Sequence, residues 1–476
     1  MHSVQDASTS HGSTSGPLCR ASRLDSAAVP RSSEELRDRL ADLIAIPSVS
    51  ADADHASDVE RAAAWVAELI RDAGGTVDVV PWNGGRPLVI GEVAASERPE
   101  SAPTVLCYAH FDVQPPDPLE LWETPPFELT HRDGRLYARG VADDKGNLFV
   151  LVEAVRQLAE AGELPVNVRF GFDGEEEVGG DSIVQWVEQD EGAADAALIL
   201  DGAMARRGQP VFYVGVRGML YFHLRLHTGT TDMHSGMFGA AALNAGHALM
   251  TALSSVLPRA DGYLRDELRA GATPPSDEEL SAWSQLPPGS EQLSHYGAIP
   301  IAPGAPEEFY LRTFADTSLD VNGFASGSPD LVKTVLPVEA RANVSIRLAP
   351  GQDPDGIRAV FERLLRDATP AGAELEITLC NRAHPALTPT DAPAIRLAGD
   401  AFEHVVGARP LLVRSGGTLP IYAGLVGRGL PTLATGFGVE SECNVHAPNE
   451  NIPDDALEVG VATMREVFLR LGPLGA

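Results

Sequence analysis

The strongest restriction on the fold is a rhythm in the chain. Short apolar runs alternate with amphipathic helical stretches, and acidic or histidine residues stand just past the carboxyl ends of the runs. The runs at 104–108 (TVLCY) and 196–200 (AALIL) read as buried strands, and 166–172 alternates as a strand does. Between them, 146–161 places Leu148, Leu151, Val152, Val155, Leu158 and Ala159 on one helical face. Strand, helix, strand in this order predicts an α/β fold with a mainly parallel sheet. Two helices precede it. Ser32 and Glu35 fit a capping box ahead of the stripe Leu36, Leu40, Leu43, Ile44, and Pro47 ends that helix. A second helix is expected over 58–73, stopped by Gly74-Gly75.

Near Gly218 the rhythm changes. The segments 220–226 and 342–348 alternate apolar and polar residues, and a Pro/Gly/Asp-rich stretch at 258–329 lies between them. A two-layer α+β insertion with antiparallel strands fits this middle. Sheet signals of the first kind return at 411–413 and 431–435. The expectation is therefore a split α/β part over 31–217 and 383–476, with an inserted α+β part over 218–382. Residues 1–30 are rich in Ser, His and Ala without an uninterrupted apolar core, and read as a disordered arm or an over-extended start rather than a secretory signal.

A chain of 476 residues suits two or three domains. It carries 67 acidic against 36 basic side chains, for a net charge of −31. That balance speaks against nucleic acid or an anionic membrane as partner, since both need clustered Lys and Arg. No apolar run approaches the roughly 18 residues of a spanning helix. Four cysteines, none in CxxC spacing, are too sparse for a disulfide scaffold and point to a reducing cytoplasm.

The chemistry gathers at strand ends. TVLCY leads into His110 and Asp112, the strand ending at Phe172 leads into Glu175, Glu176 and Glu177, and AALIL leads into Asp201. Asp143 and Asp144 stand ahead of a helix, and His446 follows a late strand. In open α/β sheets these ends converge on one crevice. Imidazoles and carboxylates suit Zn²⁺ and, less selectively, Mn²⁺ or Co²⁺. Two His and three carboxylates can hold two ions if one carboxylate bridges, and a further carboxylate is then needed as general base. Each signal has an ordinary reading: a His after a strand is usually a surface residue, an EEE run a solvated loop, Asp143-Asp144 a helix cap. Their joint recurrence at strand ends outweighs these.

The motifs YAHFDVQP (108–115), RGVADDKG (139–146), GEEEVGG (174–180), DMHSGMFG (232–239), KTVLP (333–337), SIRLAP (345–350), RSGGTLP (414–420) and HAPNE (446–450) resemble those of the M20 metallopeptidases, most of all the carnosinase-type dipeptidase branch. The resemblance implies a split zinc-peptidase-like catalytic domain with an inserted lid and dimerisation domain. It implies two divalent metal ions, His110 and Asp201 on one, Glu177 and His446 on the other, and Asp143 bridging. Asp112 would orient His110, and Glu176 would act as general base and acid. His234 and Thr334 would reach the active site of a partner subunit in a homodimer. Arg347, Gly416, Gly417 and Thr418 would hold the substrate's terminal carboxylate, and the Asp143–Asp144 peptide would be cis. The triple Glu leaves the register open by one, and Gly174 and Gly179 favour Glu176 and Glu177; the spacing to Gly146 favours Asp143 over Asp144. Thr418 stands where the branch has Ser, and Ser415 where it has an acid.

The expected activity is hydrolysis of dipeptides or short peptides with a free carboxyl terminus. A deacylase or N-carbamoyl hydrolase acting on N-acyl amino acids is the alternative within the same fold, and the long insertion favours the dipeptidase branch. A binding protein without catalysis is the alternative of another class.

Overall fold

The computed structural model describes residues 31–82 and 84–475. The expectation for residues 1–30 lies outside them. Among the described residues the main sheet has nine strands. Its centre is parallel: Asn167–Asp173, Thr104–His110, Ala196–Leu200 and Thr432–Thr435 run side by side in one direction. Thr76–Pro81 and Pro87–Val93 extend one edge in antiparallel fashion. On the other, Val211–Val216 meets Thr432–Thr435 antiparallel and carries Leu411–Ser415 parallel to itself.

The central strands read as continuous apolar runs because both faces are covered. Val105, Cys107 and Ala109 face one layer, which holds the helices Ser33–Ile44, Ala56–Asp72, Lys145–Ala161, Pro393–Val406 and Ala456–Leu471. Leu106 and Tyr108 face the other, built from Ser182–Gln189 and Pro420–Gly427. The capping box is present, with the Ser32 hydroxyl accepting from the Glu35 amide. Lys145–Ala161 lies deepest: most of its residues are buried, so its amphipathic stripe understates its burial. Gly146 at its start has no room for a side chain, since a Cβ there would sit 2.0 Å from the Val141 carbonyl oxygen.

The second sheet is wholly antiparallel, in the order Ser318–Ala325, Glu339–Leu348, Gly218–His227, Glu374–Ala383. Its even-numbered Leu220, Phe222, Leu224 and Val344, Ile346 bury against the helices Ala245–Ser254 and Pro354–Ala368. The odd-numbered side chains, Arg347 among them, face away from those helices. The Pro/Gly/Asp-rich stretch is not loop throughout. It forms four short helices, of which Asp277–Trp283 and Phe309–Phe314 pack Trp283 and Phe314 against Leu411 and Val413 of the main sheet. A fully buried ion pair, Arg414 to Glu279 at 2.6 Å, fastens this stretch to the strand that leads into Ser415.

Candidate metal centre

Three adjacent parallel strands deliver His110, Asp173 and Asp201 to the same sheet edge. Asp112 follows His110 and is wholly buried. Its carboxylate accepts the amides of Glu176 (3.2 Å) and Glu177 (3.1 Å) and lies 3.4 Å from His110 Nδ1. The Asp112 carbonyl lies nearer that nitrogen, at 3.1 Å, so this one residue flanks the imidazole and its carboxylate holds the turn that presents both glutamates. Glu175 points elsewhere: its oxygens accept the amides of Arg86 (2.8 Å) and Ser182 (3.1 Å). That assigns Glu175 to the scaffold and leaves Glu176 and Glu177 for the site.

The two oxygens of Asp143 face two different imidazoles. His110 Nε2 lies 2.9 Å from Oδ1, and His446 Nε2 lies 3.0 Å from Oδ2. His446 Nε2 is also 3.1 Å from Glu177, and His110 Nε2 is 4.0 Å from Asp201. The arrangement divides into His110 with Asp201 on one side and His446 with Glu177 on the other, Asp143 lying between. Asp144, 0% exposed, is occupied in another way: one oxygen accepts the His110 amide (3.1 Å) and the other the Asn147 side-chain amide (2.9 Å). It does not cap the helix it precedes. The Asp143–Asp144 peptide is cis. His446 sits at φ 61° in a loop that also holds Asn444 and Asn449 at positive φ.

The electrostatics are those of crowded carboxylates. Burial pushes the Asp201 carboxyl up to about 8, with Asp143, Glu176 and Glu177 adding to the effect. Burial also raises Glu176, against the opposing pull of His110. Hydrogen bonds to Asp143 and Glu177 lift His446 to about 10. Burial disfavours the His110 imidazolium, yet Asp112 and Asp143 outweigh it and hold that group well above the usual histidine range. The Asp143 carboxyl falls below its ordinary value: burial works against that, and the two imidazoles overcome it. Such a set holds positive charge strongly, and divalent cations compete for the same donors. Glu177 Oε1 is buried with no hydrogen-bond partner, as expected of an oxygen shaped for a ligand from outside the chain. Ligand atoms of His110, Asp143 and Glu177, and separately of His110, Asp144 and Asp201, lie within 4.8 Å of one another. The residues present therefore fit metal ions.

Two residues with strong effects on this geometry escaped the sequence reading. Glu450, 0% exposed, accepts the amides of Gly140 (2.9 Å), Ala142 (2.8 Å) and Asp143 (3.0 Å) and pairs with buried Arg139 at 2.6 Å. It grips the loop that carries Asp143. Arg217 donates to the Gly416 carbonyl (2.8 Å), and its amide donates to Gly417 (3.0 Å). Glu450 ends a quoted motif and Arg217 lies in none, and nothing local marks an acid as the acceptor for a loop three hundred positions away.

The remaining expected residues form two further groups. Arg347 donates to the Thr418 hydroxyl at 2.7 Å, beside Gly416 and Gly417. His234 is exposed, its Nδ1 accepting the Gly236 amide, on a ribbon that pairs it with Val335 next to Thr334. Among the described residues no hydrogen bond or ion pair joins His234, Thr334 or Arg347 to the five-residue cluster.

Two imidazoles and three carboxylates converging at the carboxyl edge of a parallel sheet define a site of the metallohydrolase class. The chain belongs to peptidase family M20/M25/M40, whose model matches residues 106–470, and is a metallopeptidase. It is 27% identical to the cysteinylglycine-S-conjugate dipeptidase of Corynebacterium striatum, over 92% of this chain and 96% of that protein. It is 26% identical to human Beta-Ala-His dipeptidase, over 82% of this chain and 78% of the relative. Among solved structures it is similar to the M20 metallo-carboxypeptidase Sso-CP2 of Sulfolobus solfataricus, with TM-score 0.76, 27% identity and coverage of 92% and 99%. No helix among the described residues is long and apolar enough to cross a membrane.

Proposed function

We propose that the chain is a dinuclear-metal dipeptidase that cleaves the amide bond next to a free carboxyl terminus. His110 and Asp201 hold one divalent ion, Glu177 and His446 the other, and Asp143 bridges. Zn²⁺ suits the donors best, with Mn²⁺ and Co²⁺ also accommodated. When bound, such ions supply a nucleophilic water at neutral pH and polarise a carbonyl. Glu176 takes the proton of the attacking water and passes it to the leaving nitrogen. Its burial raises its carboxyl toward the range where both transfers are efficient. Arg347 receives the substrate carboxylate, with Thr418 and the Gly416-Gly417 backbone beside it.

His234 and Thr334 serve the site of a second copy of the chain, His234 stabilising the developing oxyanion. Their exposure and their distance in contact from their own cluster support this, as do Met237 and Phe238 nearby, 75% and 43% exposed. The free edge of Ser318–Ala325, with Val321 and Phe324 exposed, offers a surface for that copy. The dipeptidase names of the relatives support the substrate class. A cytoplasmic location accords with Cys107, Cys380 and Cys443, all unpaired.

The observation that carries the reading is Asp143 facing two imidazoles from opposite ends of the chain. Glu176→Gln tests it. The variant should fold and load two ions per chain, while kcat on dipeptides falls about 10²–10⁴-fold. Turnover at the wild-type rate in a folded, metal-loaded variant rejects the mechanism. Hydrolysis of N-acyl amino acids but of no dipeptide rejects the substrate class.

A further inference from the structure

Gln114 lies in the motif at 108–115 and is no member of the proposed metal set, yet its side chain is committed to one of that set. Its Nε2 donates to the Glu177 carboxylate oxygen Oε2 (2.9 Å) and to the Glu177 carbonyl (3.1 Å). A primary amide carries two N–H bonds, so a single residue takes up both. The two contacts close a ring around the Glu177 side chain and restrict its torsions. Gln114 is itself half-buried on a fixed backbone. The Val113 amide donates to the Ser48 carbonyl (3.0 Å), and the Pro115 carbonyl accepts from buried Arg139 (3.3 Å).

The two halves of the metal cluster differ in what holds them. The His110 side chain is 1% exposed and ends a central strand, and Asp201 directly follows another. Glu177 lies on the short turn Glu176–Val178, and the His446 side chain is 53% exposed in an irregular loop. Sheet hydrogen bonds fix the first pair; the second needs another restraint. Among the described residues no other acid of the proposed ligand set accepts from a side-chain amide. The type of donor matters as well. An amide orients the carboxylate without neutralising it, so the negative charge stays available to a cation. A Lys or Arg in this place would compete with the ion, and an acid would repel the carboxylate. Glu177 Oε1, buried without a hydrogen-bond partner, is the oxygen this clamp leaves for a ligand from outside the chain.

We propose that Gln114 is a positioning residue for one of the two metal subsites, that of Glu177 and His446, and that the subsite of His110 and Asp201 does not depend on it. This rests on the dinuclear reading above. Gln114 acts through the Glu177 carboxylate and takes no part in the proton transfers assigned to Glu176.

Gln114→Met keeps the length of the side chain and removes the donor. Titration of chelated enzyme with Zn²⁺ against a chromogenic chelator should give two ions per chain for the wild type. In the variant one ion should bind as in the wild type and the other about 10–100-fold more weakly, the scale for groups that orient ligands. On a dipeptide, kcat at saturating Zn²⁺ should stay near the wild-type value, while the Zn²⁺ concentration for half-maximal activity rises by the same factor. In His446→Ala, which has already lost a ligand of that subsite, adding Gln114→Met should leave the affinity of the remaining ion unchanged. A merely structural role would weaken both ions alike and would persist in His446→Ala. Either of those results, or unchanged loading of Gln114→Met, overturns the positioning role. If Gln114→Met does not fold, Gln114→Asn, one methylene too short to reach, goes through the same titration with the same expected and refuting results. A wild type that binds fewer than two ions overturns the dinuclear reading, and the proposal with it.

Discussion

Replacing Glu450 with Gln should loosen the bridging residue without touching any proposed metal ligand. The Glu450 carboxylate accepts three backbone amides and the Arg139 guanidinium, and neither partner of the ion pair is more than 1% exposed. Gln keeps the shape and one acceptor oxygen. The other terminal atom becomes an amide donor aimed at donors, the Gly140 N–H and Arg139. Buried donors left unsatisfied cost about 1–3 kcal/mol each, and breaking a buried ion pair by removing one partner costs about 3–5 kcal/mol. The two estimates describe one event, so about 3–5 kcal/mol is the expected loss. At about 2–4 °C per kcal/mol for domains of 150–250 residues, the Tm should fall by roughly 6–20 °C. The oxygen that remains still accepts the Asp143 amide, but the Gly140 end of the same loop loses its anchor, so metal affinity should drop on the order of 10–100-fold, as for other groups that orient ligands. Calorimetric melting and titration against a chromogenic chelator measure the two effects. A variant that melts within a degree or two of wild type and binds metal as tightly would refute the claim that Glu450 sets the Asp143 loop.

Further outcomes follow from the same geometry. Glu175→Gln and Glu176→Gln should separate: the first costs about 1–3 kcal/mol of stability for the Arg86 and Ser182 amides it holds, with kcat little changed; the second lowers kcat with Tm little changed. Arg414→Leu leaves Glu279 buried without its partner, and a loss of about 3–5 kcal/mol is expected in urea unfolding. Asp190 is bound by Arg169 and Arg428. Burial opposes its ionisation, but those two arginines hold its carboxyl below the ordinary value. Its contribution is therefore present above the unfolded-state value near 4 and fades as pH falls through the folded one. Asp190→Asn should cost about 1–3 kcal/mol at pH 7, and the gap to wild type should narrow below about pH 4. Chelation should abolish activity and lower Tm, with Zn²⁺, Mn²⁺ or Co²⁺ restoring both, because ions that bind only the folded chain stabilise it by mass action.

How much of this could be read from the sequence depends on how local each cause is. The capping box at Ser32, the parallel central strands and the alternation of 220–226 are written in neighbouring residues, and the elements form within a few residues of the expected limits. The convergence of His110, Glu177, Asp201 and His446 was legible because a parallel sheet brings strand ends to one edge whatever the sequence between them. The helical content of 258–329 was not, because Trp283 and Phe314 pack there against Leu411 and Val413, far along the chain.

For the finer choices the sequence offered only the spacing to nearby glycines. Asp143 and Asp144 are adjacent and identical in chemistry; only the direction each carboxylate takes, toward two imidazoles or toward Asn147 and the His110 amide, tells them apart. Glu175 is removed from the site by the amides of Arg86 and Ser182. The period of apolar residues and the chemistry at strand ends, then, settled which layers form and which side chains meet. Tertiary contact alone decided which acid grips the Asp143 loop and which carboxylate meets each buried arginine, because hydrogen bonds and ion pairs depend on what lies within about 3 Å in space, and sequence order does not record that.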